Sequence, residues 1–228
     1  MKLIITNRDS IQTARKRCIQ KFLHYFKKGF LDEKYLAWER QYKLDAHIQF
    51  QQKLNRKSFK ELLTAKRFEE ISRIAIQIES KTNLLFSFEK MAIRDAVKSK
   101  VGAEQFASGL FDYLYSTALL QQRFENFTQT ISHLPRKQTR VLTWPLLTVF
   151  GFIAEPEKHI FLKPKVTQKA AEKYRFDFDY ISPPNWDTYE SLLAFAAQIR
   201  SDTKNLRPRD NIDLQSFIWV IGSDEYPD

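Results

Sequence analysis

Cysteine is almost missing from this 228-residue chain: Cys18 stands alone. A single thiol excludes an intramolecular disulfide and any zinc site made of several cysteines, and it suits a reducing compartment. Glycine is scarce, with 5 residues, and no proline precedes Pro135. With so few breakers, the first part of the chain reads as consecutive helices. A long apolar run is lacking too. The best stretch, Val141–Ala154, is interrupted by Pro145 and Gly151 and falls short of the roughly 20 residues that a bilayer span requires. The opening MKLIITNRDS has no apolar core of a secretory signal, so a cytoplasmic location is expected. His24, His47, His133 and His159 have no metal-ligand spacing, and no P-loop, dinucleotide or nucleophile-elbow motif occurs. These absences predict no metal, no cofactor and no catalytic residue of those kinds.

Apolar residues make up 43% of the chain and aromatics 14%, enough for a folded core in one large domain or two small ones. The charge is distributed unevenly. Residues 1–60 carry 15 Lys+Arg against 5 Asp+Glu, and the remaining 168 carry 22 of each. The whole net charge of +10 therefore belongs to the N-terminal segment, which points to a polyanionic partner met by that end.

Ile11, Ala14, Cys18, Phe22 and Tyr25 recur at helical spacing, predicting an amphipathic helix over Ser10–Lys28 that stops at Gly29. A second helix is expected over Asp32–Leu54, with Tyr35, Trp38 and Tyr42 on its apolar face. Ser58 and Glu61 have capping-box spacing for a third, running to Ser80. A fourth over Asn83–Lys98 is apolar nearly all round and so is expected at the centre of the core. Two more follow at Ala103–Leu119 and Gln121–His133. From Leu134 onward prolines appear, and HIFLK (159–163) and FDFDYI (176–181) look like strands around a short helix capped by Thr167. Helices near Trp186–Leu206 and Asp210–Ile221 complete the chain, the last with Asp210 as N-cap and Gly222 as its stop. The expectation is a mainly α-helical α+β protein, with a helical basic region over residues 1–133 and a small mixed α/β region over 134–228.

Opposite the apolar stripe of the first helix lie Lys16, Arg17, Lys27 and Lys28, with Lys21 at its edge. Such a face neutralises phosphates without reading sequence. Arg56, Lys57 and Lys60 form another cluster, and Arg136, Lys137 and Arg140 precede a buried element. Lys163 and Lys165 flank Pro164, where a lysine pair at a turn suits a phosphate or merely ends an element. Asp210 and Asp213 begin the last helix; they serve as cap and dipole partner, or else hold a divalent metal for phosphodiester cleavage. Gln215 and Ser216 are polar positions in that otherwise apolar helix. Glu89, if buried, needs a partner such as an arginine, and Cys18 on the apolar stripe reads as packed rather than reactive.

The second half, from LPRKQTRVLTWP through NWDTYESLL to RPRDNIDLQSFIWVIGSDEY, is similar to a group of uncharacterised conserved bacterial proteins. IDLQSFIWV resembles a closing segment of proteins from bacterial genome-defence settings. The resemblance implies a connection with DNA and transfers no activity and no site residue. The leading expectation is a non-enzymatic nucleic-acid-binding protein, DNA foremost, gripping phosphates with Lys16, Arg17, Lys21, Lys27 and Lys28, and secondly with Arg136, Lys137 and Arg140. Its rivals are a metal-dependent nuclease using Asp210 and Asp213, a protein-interaction subunit docking through Trp186, Tyr189 or Trp219, and a binder of anionic membranes.

Overall fold

Two helices are buried on nearly every side, and the others are arranged around them. The computed structural model describes residues 2–135 and 140–228, with side chains described over 9–135 and 140–228. α9 (Trp144–Ala154), WPLLTVFGFIA, is buried at every position. A helix without a polar face has no stable place but the interior. It is enclosed by α3 (Gln41–Leu54), α5 (Phe68–Glu79), α7 (Lys100–Tyr115) and α8 (Leu120–His133). α12 (Asn211–Gly222) is the second such rod, buried except at Trp219. Around it pack α1 (Lys2–Tyr25), α10 (Pro164–Tyr174) and α11 (Trp186–Asp202).

The link between the two centres is the chain from α2 (Glu33–Tyr35) through a π-helical turn at Leu36–Arg40 into α3. The π turn packs on α12, and α3 packs on α9. One connected apolar cluster, from Cys18 to Tyr226, includes residues from both sides of Leu134.

Local chemistry sets the boundaries. Asp32 caps α2 by accepting the Lys34 amide, after Gly29 has reversed the chain at φ +59°. Thr143 caps α9, whose second residue is Pro145, and Asp210 caps α12 by accepting the amides of Ile212 and Asp213.

Among the described residues there is no strand, so the expected mixed α/β region is not formed. Both segments lie outside any helix or strand, and side chains pair with their backbone groups. The Ile160 amide donates to the Tyr189 hydroxyl and that of Leu162 to Thr148, while Asn211 donates to the His159 carbonyl. The amides of Asp179 and Ile181 donate to Ser191 and Thr188, and the indole of Trp144 donates to the Ile181 carbonyl. With these groups paired to neighbouring helices, no partner strand is required.

Other boundaries differ as well. Asn55, not Ser58, caps α4 (Arg56–Thr64), and Lys66 at φ +55° breaks the expected third helix before α5. Lys163 and Pro164 begin α10, leaving Thr167 buried inside it. α6 (Ser87–Ala96) is shorter than expected and lies at the surface: Phe86, Phe88 and Met91 are exposed.

Candidate nucleic-acid interface

α1 packs against α10 and α12, and this contact turns the basic stripe of α1 toward a second one. Lys165, Lys169 and Lys173 recur every fourth residue along α10, which puts them on one face. Between the helices lies a groove of about 810 Å³ lined by Arg17, Lys21, His24, Lys169, Lys173 and Arg175, with Glu172 and Asp228 as its acidic members.

An anion already lies in this groove. The Asp228 carboxylate accepts from Lys21 Nζ at 2.6 Å and from Lys173 Nζ at 2.7 and 2.8 Å. Hydrogen bonds from Lys173 and Lys21 hold its carboxyl down at about 2. Asp224 pairs with Lys169, and the Tyr25 hydroxyl donates to the Pro227 carbonyl at 2.6 Å. The acidic segment after α12 thus lies across the basic groove. Cys18 lines it from below; burial raises its thiol to about 11, so it is packed as its stripe position implied.

Of the residues expected on phosphate, Arg17 and Lys21 meet in the groove. Lys16, Lys27 and Lys28 are exposed outside it, with Lys28 near Glu33 at 3.8 Å. Arg140 is exposed, while Arg136 and Lys137 lie outside the described residues. Arg56 and Lys57 share a smaller cavity of about 530 Å³ with Arg123 and Lys158. Lys163 does not pair with exposed Lys165; it donates to the Leu84 carbonyl at 3.0 Å and lies over the Phe86 ring. Lys169, Lys173 and Arg175 were missed because the balanced charge of the later segment conceals them. The four-residue repeat of lysines was the readable signal.

The two carboxylates considered for a metal are taken by other groups. Arg40 donates to both oxygens of Asp210, at 2.8 and 2.6 Å, and to Asp213 at 2.8 Å. Arg209 adds bonds of 2.9 and 3.0 Å to Asp213, and the Tyr35 hydroxyl donates to it at 2.6 Å. Burial pushes the Asp210 carboxyl up, but the bonds and charge of Arg40 outweigh it and leave it below its ordinary value. Among the described residues no group of three or more His, Cys, Asp or Glu is placed to hold a metal. Glu89 is buried and, among the described residues, accepts from the Phe86 amide and the Thr143 hydroxyl. Of the three aromatic residues named from the sequence for protein docking, Tyr189 is fully buried and Trp186 and Trp219 are half-buried. None of the described helices is long and apolar enough to cross a membrane.

No protein-family model, curated protein or solved structure matches this chain.

Proposed function

We propose that this chain is a non-enzymatic nucleic-acid-binding protein, with DNA as its first expected ligand, and that the sugar–phosphate backbone lies in the groove between α1 and α10. The supporting observation is the grip of Lys21 and Lys173, on separate helices, around one carboxylate. Two ammonium groups converging on a single oxyanion make a ready position for a phosphate, which carries the same charge sign and acceptor geometry. Arg17, Lys169 and Arg175 extend the positive surface around it.

The ligand must displace the acidic segment, so binding exchanges weak exposed ion pairs for phosphate contacts and released counterions. The test is the affinity for a random-sequence duplex across a salt series. Affinity should fall steeply with salt, with a logarithmic slope of about −0.9 for each phosphate neutralised. Reversing Lys21 and Lys173 to Glu should abolish binding and leave the circular dichroism unchanged. No binding at low salt, or binding indifferent to the double reversal, removes the reading. Magnesium-dependent cleavage by the purified chain would instead favour the nuclease alternative.

A further inference from the structure

The sequence gathers Arg56, Lys57 and Lys60 into a basic cluster, and the groove between α1 and α10 uses none of them. Arg56 and Lys57 line the separate cavity of about 530 Å³, with Arg123 and Lys158 on its other walls. The groove and this cavity have no lining residue in common.

Helix ends build the frame. α3, α7 and α9 all finish at its walls, and their ends are tied together. Gln51 of α3 donates to the Ala154 carbonyl of α9 at 2.6 Å, and the Tyr115 hydroxyl of α7 donates to the Leu54 carbonyl of α3 at 3.1 Å. Asn55 then caps α4, accepting the amides of Lys57 and Ser58 at 3.1 Å, so Arg56 and Lys57 fall in its first turn. Walls tied in this way hold their charges in place before a ligand arrives.

Cations at helix ends have an ordinary task, which is to satisfy the last carbonyls. Arg123 performs it: its Nη1 donates to the Tyr113 and Leu114 carbonyls at 2.8 and 3.0 Å. The carbonyls at the ends of α3 and α9 are served by Tyr115, Gln51 and His47, whose Nδ1 lies 2.9 Å from the Ile153 carbonyl. Arg56 and Lys57 are therefore not needed for this task. Their side chains are exposed and make no hydrogen bond among the described residues.

Charge decides what the cavity takes. Lys158 pairs with Glu155 at 2.8 Å, and Glu155 is the one acidic residue among those lining it. Arg56, Lys57 and Arg123 have no ion pair among the described residues, so a surplus of three positive charges remains. In the groove the chain supplies Asp224 and Asp228 to its lysines; here these three cations receive no such partner. One phosphate group carries about −1.5 to −2, too little to match the surplus. The volume lies within the range of small-ligand sites and leaves room for more than one.

We propose that this cavity is a second phosphate site, distinct from the groove, and that it takes linked phosphates rather than a single one. Arg56, Lys57 and Lys158 contact them, together with Arg123 Nη2, which makes no hydrogen bond among the described residues and, unlike Nε, is not enclosed. Linked phosphates have two sources: a free oligophosphate, or successive phosphates of a strand. For the second source the inference rests on the proposed binding of nucleic acid.

Calorimetric titration with tripolyphosphate tests it, in a chain carrying Lys21→Glu and Lys173→Glu so that the groove cannot respond. One tripolyphosphate should bind per chain, with orthophosphate at least about tenfold weaker. Adding Arg56→Glu and Lys57→Glu should weaken tripolyphosphate at least about tenfold. Carboxylates suit the first turn of α4, so Tm should not fall. Lys158→Gln, from another wall, should weaken it as well. The sources separate in duplex binding by the chain with its groove intact. A salt slope less steep by about 2 in Arg56→Glu/Lys57→Glu places a strand's phosphates in the cavity; an unchanged slope with tripolyphosphate lost assigns it to a free oligophosphate. Absence of saturable tripolyphosphate binding, equal binding of orthophosphate, or indifference to the Arg56 and Lys57 reversal would overturn the inference. Tripolyphosphate binding without duplex binding removes the groove reading and keeps the cavity. Duplex binding without tripolyphosphate binding does the reverse.

Discussion

Arg40 closes both of its terminal nitrogens onto the Asp210 carboxylate, at 2.8 and 2.6 Å, across 170 residues of sequence. Asp210 is also the N-cap of α12, so one carboxylate both starts the central helix and ties it to the π turn. The arrangement joins the beginning and end of the chain through groups with little access to water.

Arg40→Ala is expected to destabilise the protein by about 3–5 kcal/mol, because two buried carboxylates lose their shared cation. Arg209 remains on Asp213 but does not reach Asp210, so the loss falls chiefly on the helix cap. Urea unfolding of Arg40→Ala beside Arg209→Ala checks this. Arg209→Ala should cost less, since its side chain is over one-third exposed.

Asp228→Asn should tighten duplex binding. It removes the anion that occupies the groove and releases Lys21 and Lys173. The carboxyl titrates at about 2 in the folded chain against an ordinary 3.8, so its competition is full above 3.8 and lost only as pH falls through 2. The comparison therefore belongs at neutral pH, at several salt concentrations. Unchanged affinity would mean that the acidic segment does not compete.

His159 gives the fold a sensitivity to acid. Its ring is fully buried, with Nδ1 3.0 Å from the Tyr113 hydroxyl and 3.3 Å from that of Tyr189. Burial, then the charges of Arg123 and Lys158, depress it from 6.5 to about 3. The unfolded chain takes up a proton that the folded chain refuses. Stability is accordingly full above 6.5 and declines toward 3, by about 1.4 kcal/mol per pH unit from this group. His159→Gln should flatten the acid limb of a stability–pH curve by that slope, whatever its effect at neutral pH.

Features decided within a few residues were legible: the amphipathic α1, the Asp210 cap and the packed Cys18 are where local pattern places them. FDFDYI misled because its alternation is real while its amides find Ser191 and Thr188 instead of a strand. Phe86, Phe88 and Met91 read as core because composition alone does not distinguish a buried side chain from an exposed one. Half of the basic groove was visible in the charge of α1. The other half, Lys169 and Lys173, vanished in a segment whose charges sum to zero. The second cavity was only partly legible for a different reason: Arg56 and Lys57 are neighbours in sequence, but Arg123 and Lys158 join them only by tertiary packing.

Gly222 decides whether α10 and α12 can lie as close as they do. A Cβ built there would stand 2.2 Å from the Val166 carbonyl oxygen and 3.0 Å from Ala170 Cβ, both on α10. Alanine gains at most about 1 kcal/mol of helix propensity over glycine. The obstacle is backbone rather than a side chain able to rotate away, so α10 itself must shift, and overpacking of this kind costs about 1–3 kcal/mol. The clash outweighs the propensity, and Gly222→Ala should be destabilising in urea unfolding. It should also weaken duplex binding beyond the loss of folded protein, because the displaced helix carries Lys169 and Lys173. Gly222→Ala with undiminished stability would mean that the two helices separate without cost, and the groove they form would then be too compliant to hold a phosphate in place.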